Sequence, residues 1–359
     1  MDNIEDETAE RMLPRISGAP RLCQDVAEAV GQVPIVRLNG FGEACRRHEL
    51  YLKLESCNPG GSIKEKNAVH LVREAEAKGR LKPGGTIVES SSGNFGIGLA
   101  MLGAARGYRV IIVVDAKTPP PIRRMLGAYG AEMVELPLSA VDRHGSMQVA
   151  RMEKAREIAE RIPGAWYPCQ HRNPSNPDAH ALYTAREIEA AFDGAPDAIV
   201  VGVSTAGQLA GMTRYFKQRS SAVRFVGVDV AGSVIFGTPP RPYKMTGLGL
   251  CFIPPSFQDE VLSAAYSIGD KLAFSVCHEL ARREGLLLGA STGAIVAAGL
   301  AFAGRQNNPQ RILMVNPDRG DRYLETVYNP EWLSQNNLQL LKGPHLEAAI
   351  GRLEPLYER

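Results

Sequence analysis

The chain has 359 residues, 44% apolar and 22% charged, the make-up of a globular protein of one large or two ordinary domains. Lys and Arg number 41 against 39 Asp and Glu, a formal charge of only +2, so no nucleic-acid footprint is implied. The longest apolar stretches, Val110–Val114 and Ala294–Ala303, fall short of the roughly 20 residues that cross a bilayer, and the acidic start MDNIEDETAE is unlike a secretion signal; a cytoplasmic protein without membrane partners is expected. From Asp25 onward, apolar runs alternate with helical periods. The pattern predicts strand Leu50–Glu55, helix Ile63–Lys78 with Ala68, Leu71, Val72 and Ala75 on one face, strand Thr86–Glu89 and helix Gly93–Ala105. Strand Arg109–Asp115, apolar throughout its interior, fits a sheet covered on both faces. Helix Pro119–Tyr129 and strand Ala131–Leu136 complete the first half. In the second half, strands are predicted at Ala198–Val203, Phe225–Val230 and Ile312–Val315, with helices at Gly207–Gln218, Asp270–Arg283 and Thr292–Gly304. Such alternation implies parallel sheets, and a break near Pro163–Asn176 suggests two α/β blocks with a cleft between them.

Four glycine- and hydroxyl-rich segments each follow a strand and open a helix: Asn58–Lys64 (NPGGSIK), Ser90–Gly96 (SSSGNFG), Ser204–Gln208 (STAGQ) and Gly289–Gly293 (GASTG). In an α/β sheet these loops lie at the carboxyl ends of strands, where ligands bind, and helix N-termini attract anions. Together they point to a polar ligand with several anionic groups. Neither a G-x-x-x-x-G-K-[ST] loop nor a G-x-G-x-x-G fingerprint is present, which disfavours nucleotide chemistry. The 6 cysteines and 7 histidines show no metal spacing, and no metal is expected. Lys64, just after a glycine pair at a helix start, is either a surface residue or an amine poised to form a Schiff base; the helix dipole there disfavours its charged form.

Asn58-Pro59-Gly60-Gly61-Ser62-Ile63-Lys64 with Ser91-Ser92-Gly93-Asn94 resembles the cysteine synthase family of fold-type II pyridoxal phosphate (PLP) enzymes. The likeness runs from about Asp25 to Trp332 and keeps the family's motif order. It implies two three-layer α/β domains with twisted, mostly parallel sheets. Their expected extents are a smaller mobile domain over 41–168 and a larger PLP-binding domain from 25–40 plus 169–334. An N-terminal extension (1–24) and a C-terminal appendage (335–359) flank them. The resemblance implies that Lys64 holds PLP covalently and acts as general base, that Asn94 meets the cofactor's 3′-oxygen, and that Ser291 faces its ring nitrogen. Ser204, Thr205, Ala206, Gly207 and Gln208 would cradle the phosphate, and Ser91, Ser92, Gly93 and Gln170 would grip the substrate carboxylate. Read without the family, Ser291 is a plain helix N-cap. The family also implies a homodimer acting on small amino acids.

The S-T-A-G-Q loop, Gly232–Gly237 (GSVIFG) and Pro317–Leu324 (PDRGDRYL) are similar to a specialised branch, the N-(2-amino-2-carboxyethyl)-L-glutamate synthases of 2,3-diaminopropionate and siderophore biosynthesis. That branch joins O-phospho-L-serine to L-glutamate and releases phosphate. Arg151 falls where the branch has an arginine near its substrate channel; alternatively it lies on a solvated helix face. Three residues depart from the pattern: His171 stands where the branch has tyrosine and cysteine synthases phenylalanine, and Ala206 and Gln208 replace hydroxyl residues. His171 is therefore read with Arg151 as a candidate contact for anionic substrates. A sulfhydrylase using O-acetylserine or O-phosphoserine is the alternative, and a non-catalytic binding protein a further one.

Overall fold

The computed structural model describes residues 22–141, 147–219 and 221–359, so the expected extension at 1–24 lies almost wholly outside the described residues. Its strands in chain order are β1 (Ile35–Arg37), β2 (Glu49–Leu54), β3 (Thr86–Ser90), β4 (Arg109–Asp115), β5 (Glu132–Leu136), β6 (Ala198–Gly202), β7 (Arg224–Val230), β8 (Ala264–Ile268), β9 (Arg311–Asn316) and β10 (Tyr357–Glu358). They form two sheets: seven strands ordered β1-β2-β9-β6-β7-β8-β10, and three ordered β3-β4-β5. The interior pairings of the large sheet and all those of the small one are parallel; the edge strands β1 and β10 pair antiparallel. Six of the seven residues of β4 are buried, as a strand covered on both faces requires.

The helices that build the site and core are α1 (Lys64–Ala77), α2 (Asn94–Arg106), α3 (Gln148–Arg161), α4 (Gly207–Lys217), α5 (Asp270–Arg283), α6 (Ala290–Gly304) and α7 (Gly343–Gly351). The four α1 residues read as one apolar face are all buried. Helix α2 stops at Gly107, whose left-handed φ of 73° lets its N–H cap Gly103 O. Helix α6 is buried along its length and rich in Ala and Gly for a steric reason. A Cβ on Gly293 would lie 2.0 Å from Ala273 O, so only glycine admits α5 this close.

Two expected boundaries change. Strand β2 lies in the large sheet, paired with β9 from Glu49↔Arg311 to Leu54↔Asn316, although it falls inside the stretch 41–168 assigned to the smaller domain. A pairing partner some 260 residues away leaves no trace in a local apolar pattern. Residues 335–359 are no mere appendage either. Helix α7 buries Leu346 and Ile350 in the core that holds α5 and α6, and β10 adds the last strand through Tyr357↔Ala265. Among the described residues no helix is long and apolar enough to cross a membrane.

Candidate active site

The lysine loop is shaped by the residue that follows it. Glu65 accepts from Gly60 N at 2.7 Å and Ser62 N at 2.8 Å, while Ile63 N donates to Pro317 O at 2.9 Å. Gly61 has φ +85°, and a Cβ there would lie 2.5 Å from Arg319 Cδ, so the close turn needs glycine. Lys64 thus emerges at the start of α1 with intermediate exposure, and desolvation of its amine lowers its pKa to about 8. Behind it lies a buried ion quartet. Lys66 Nζ is 2.7 Å from Glu55 Oε1 and 2.9 Å from Glu187 Oε2, and Lys53 bridges to both carboxylates. Burial alone would raise Glu55, but Lys66 and Lys53 hold it below the usual carboxylate range. The quartet locks β2 to α1 and so fixes the direction from which Lys64 enters.

The other three loops converge on the same end of the sheets. Ser91 Oγ accepts from Gly96 N at 3.0 Å and Gly93 N at 3.3 Å, so its hydroxyl braces the turn into α2; Ser92 and Gly93 stand half-buried on that turn. Asn94 Nδ2 donates to Asp318 Oδ2 at 2.7 Å, and its Oδ1 accepts from Arg322, which also reaches Gly60 O. In the Ser204–Gln208 loop, Ala206 adopts a left-handed φ of 59°, which curls successive N–H groups at the mouth of α4. A Cβ on Gly207 would sit 2.2 Å from Asn176 Oδ1, while Thr205 is buried and Gln208 Nε2 is buried without a partner. Ser291 is buried with its Oγ unpartnered, and the helix cap is Gly289. The plain N-cap reading of Ser291 therefore fails: its hydroxyl caps nothing.

Gln170 and His171 lie on the segment crossing from the small sheet to the large one. Gln170 N donates to Glu89 Oε2 at 3.2 Å and its carbonyl accepts from Asn176 Nδ2 at 2.7 Å, leaving Gln170 Oε1 without a partner. His171 stacks edge-on against Phe252 with centroids 5.9 Å apart, and its Nδ1 is buried and unpartnered. Burial, reinforced by Lys64 and Arg151, drives its pKa down to about 3, so it meets a ligand as a neutral ring. Arg151 is 5% exposed, which removes the solvated-face reading. Its Nη1 is 3.2 Å from Asp115 Oδ2, yet Nη1 and Nε make no aligned hydrogen bond.

Sequence reasoning missed Glu89, Asp115, Asp318 and Arg322. Glu89, wholly buried at the end of β3, accepts from Ser90 N at 2.7 Å as well as Gln170 N, and burial pushes its carboxyl up to about 8. A carboxylate closing an apolar strand just before a hydroxyl-rich loop is the signal that was there to be read. Asp318 ties the loops together: Tyr323 OH donates to its Oδ2 at 2.7 Å, and a Cβ on Gly289 would lie 1.8 Å from its Oδ1.

Residues 26–318 match the family described as pyridoxal-phosphate dependent enzyme. The chain is 35% identical over 314 residues to N-(2-amino-2-carboxyethyl)-L-glutamate synthase of Ralstonia nicotianae, covering 88% of this chain and 92% of that protein. It is equally 35% identical over 310 residues to cysteine synthase of Staphylococcus aureus, covering 86% and 97%. Among solved structures, the O-acetylserine dependent cystathionine beta-synthase from Helicobacter pylori superposes with a TM-score of 0.79 at 32% identity, covering 86% of this chain and all of that one. The residues present fit the cofactor of that family. An amine of depressed pKa, a buried hydroxyl with no partner and a left-handed loop at a helix mouth match an aldehyde, a ring nitrogen and a phosphate.

Proposed function

We propose, for a chain that belongs to the pyridoxal-phosphate dependent enzymes and catalyses β-replacement of the cysteine synthase type, that the reaction joins O-phospho-L-serine to L-glutamate. The products are N-(2-amino-2-carboxyethyl)-L-glutamate and phosphate, on a route to 2,3-diaminopropionate and siderophores. PLP, when bound, supplies an electron sink for the substrate's α-carbon. In this reading Lys64 holds the cofactor, Ser291 serves its ring nitrogen, Asn94 its 3′-oxygen, and the Ser204–Gln208 loop its phosphate. A hydroxyl rather than a carboxylate at the ring nitrogen leaves that nitrogen unprotonated, which suits elimination and replacement at Cβ. Lys64, its amine titrating at about 8, removes the α-proton near neutral pH. Ser91, Ser92, Gly93 and Gln170 form the α-carboxylate site; Ser91, whose N–H donates to Val113 O and whose hydroxyl braces the turn, acts by holding the loop in shape.

The observation that carries the choice of glutamate is the buried guanidinium of Arg151, with N–H directions unpartnered, close to neutral His171. A site for sulfide alone has no use for a desolvated cation with free donors; an acceptor with a second carboxylate does. The same reading takes the protein as a cytoplasmic homodimer. It makes the β3–β4–β5 sheet with its helices the smaller mobile domain, which closes over the substrate to exclude water. The test crosses O-phosphoserine and O-acetylserine with glutamate and sulfide, using PLP-loaded enzyme, and identifies products by mass. The glutamate adduct with one phosphate released per adduct is expected from the first pair. Cysteine from sulfide with no glutamate adduct would instead make the protein a sulfhydrylase.

A further inference from the structure

A buried guanidinium needs a counter-charge before any substrate arrives. For Arg151, on α3, that charge is Asp115, at the end of β4, which meets it through Oδ2. Asp115 has no matching need. Its Oδ1 accepts from Lys117 N at 2.9 Å and from the Thr118 hydroxyl, and its carbonyl accepts from Arg123 Nη2 at 2.6 Å. The aspartate is fixed by its own turn, and its Oδ2 stands 3.2 Å from Nη1 as an ion pair without an aligned hydrogen bond. Nε and Nη1 make no hydrogen bond within the fold, so the guanidinium keeps donors to offer an anion. Glu89 and Cys251 also face the guanidinium, but burial pushes the Glu89 carboxyl up to about 8 and its oxygens are taken by Ser90 N and Gln170 N, whereas Asp115 is in ion-pair contact with Arg151. Asp115 therefore sets the resting charge around Arg151.

We propose that Asp115 is a specificity-determining residue: a resident carboxylate that balances Arg151 in the free enzyme and must share it with the incoming acid. It thereby sets how strongly the site prefers an acceptor amino acid carrying a second carboxylate. This rests on the reading of Arg151 as that carboxylate's partner.

The test uses PLP-loaded enzyme with O-phosphoserine as donor and compares L-glutamate with L-glutamine, alike in shape and different in charge. Asp115→Asn keeps an oxygen for Lys117 and Thr118 while removing the charge. Its expected effect is a KM for glutamate lowered about tenfold, the size of one charge-assisted hydrogen bond, with kcat and the KM for glutamine unchanged. In an Arg151→Gln background the substitution should change neither KM. Asp115→Glu, which extends the carboxylate toward the guanidinium, should raise the glutamate KM, and it decides the matter if the Asn variant does not fold. Equal shifts for the two acceptors, or no shift, would overturn the proposal. If the wild type uses neither acceptor, the proposed reaction fails and Asp115 is judged separately, by glutarate inhibition of cysteine formation from sulfide. Inhibition about tenfold tighter in Asp115→Asn supports its role, and unchanged inhibition overturns it.

Discussion

Replacing Arg151 by Ala removes a side chain that does two jobs, and the structure allows their costs to be separated. For substrate, the loss is one charge-assisted interaction with an anion, about 1.5–3 kcal/mol, or roughly a 10- to 150-fold drop in kcat/KM. For the fold, Asp115 loses its cation while 5% exposed. Breaking a buried pair costs about 3–5 kcal/mol when the survivor is stranded. Asp115 is not stranded, because Lys117 N and Thr118 Oγ1 still donate to it, so about 2 kcal/mol is the better figure. The assay is steady-state kinetics with two substrate pairs, O-phosphoserine with glutamate and O-acetylserine with sulfide, alongside thermal unfolding of the same preparations. The full loss should fall on the first pair, and the second, which brings less charge to the site, should be affected only a few-fold. Equal losses on both pairs would refute the reasoning and leave Arg151 as a structural residue.

Three further outcomes follow from the geometry. Lys64→Ala should abolish turnover and the yellow colour of lysine-linked cofactor, read by absorbance before and after borohydride; a variant that stays yellow and active would displace Lys64 from its role. Glu89→Gln should stabilise the protein relative to wild type as pH rises, because the wild-type carboxyl stays protonated in the fold up to about 8 but ionises near 4.5 once unfolded. Below 4.5 both states are protonated and the difference vanishes; between 4.5 and 8 it should grow to the order of 2–4 kcal/mol, measured by denaturant unfolding across pH, and a flat difference would contradict the burial argument. Gly207→Ala places a methyl 2.2 Å from Asn176 Oδ1 and should weaken PLP affinity at least tenfold by distorting the phosphate loop, as followed by titrating cofactor-stripped protein.

The loops of the site were legible because their chemistry is local. Glycine at Gly61 and Gly207 is demanded by near contacts, and the hydroxyls of Ser91 and Ser291 sit at helix starts that the apolar period already marked. What was not legible depends on distant partners. Strand β2 reads locally like any short apolar strand, and its place in the large sheet comes from β9. The tail beyond residue 335 has weak periods because it meets the core through scattered residues, Leu346 and Ile350 with Leu338, Leu341 and Leu353 beside them, and adds a two-residue strand to an edge that the rest of the fold provides. Arg151 looks like a residue of a charged helix until the fold sets Asp115 beside it, and Asp318 and Arg322 gain meaning only when their loop reaches Asn94 and Gly60.

The central claim, that this β-replacement site is built for an amino acid with a second carboxylate, is tested most directly by competition. PLP-loaded enzyme is given O-phosphoserine with glutamate and sulfide present together, and the ratio of glutamate adduct to cysteine is followed by mass spectrometry as the two acceptors are varied. The ratio of kcat/KM values should favour glutamate in the wild type and fall about 10- to 150-fold in Arg151→Ala. Cysteine as the dominant product at every ratio, with no change on removing Arg151, would contradict it.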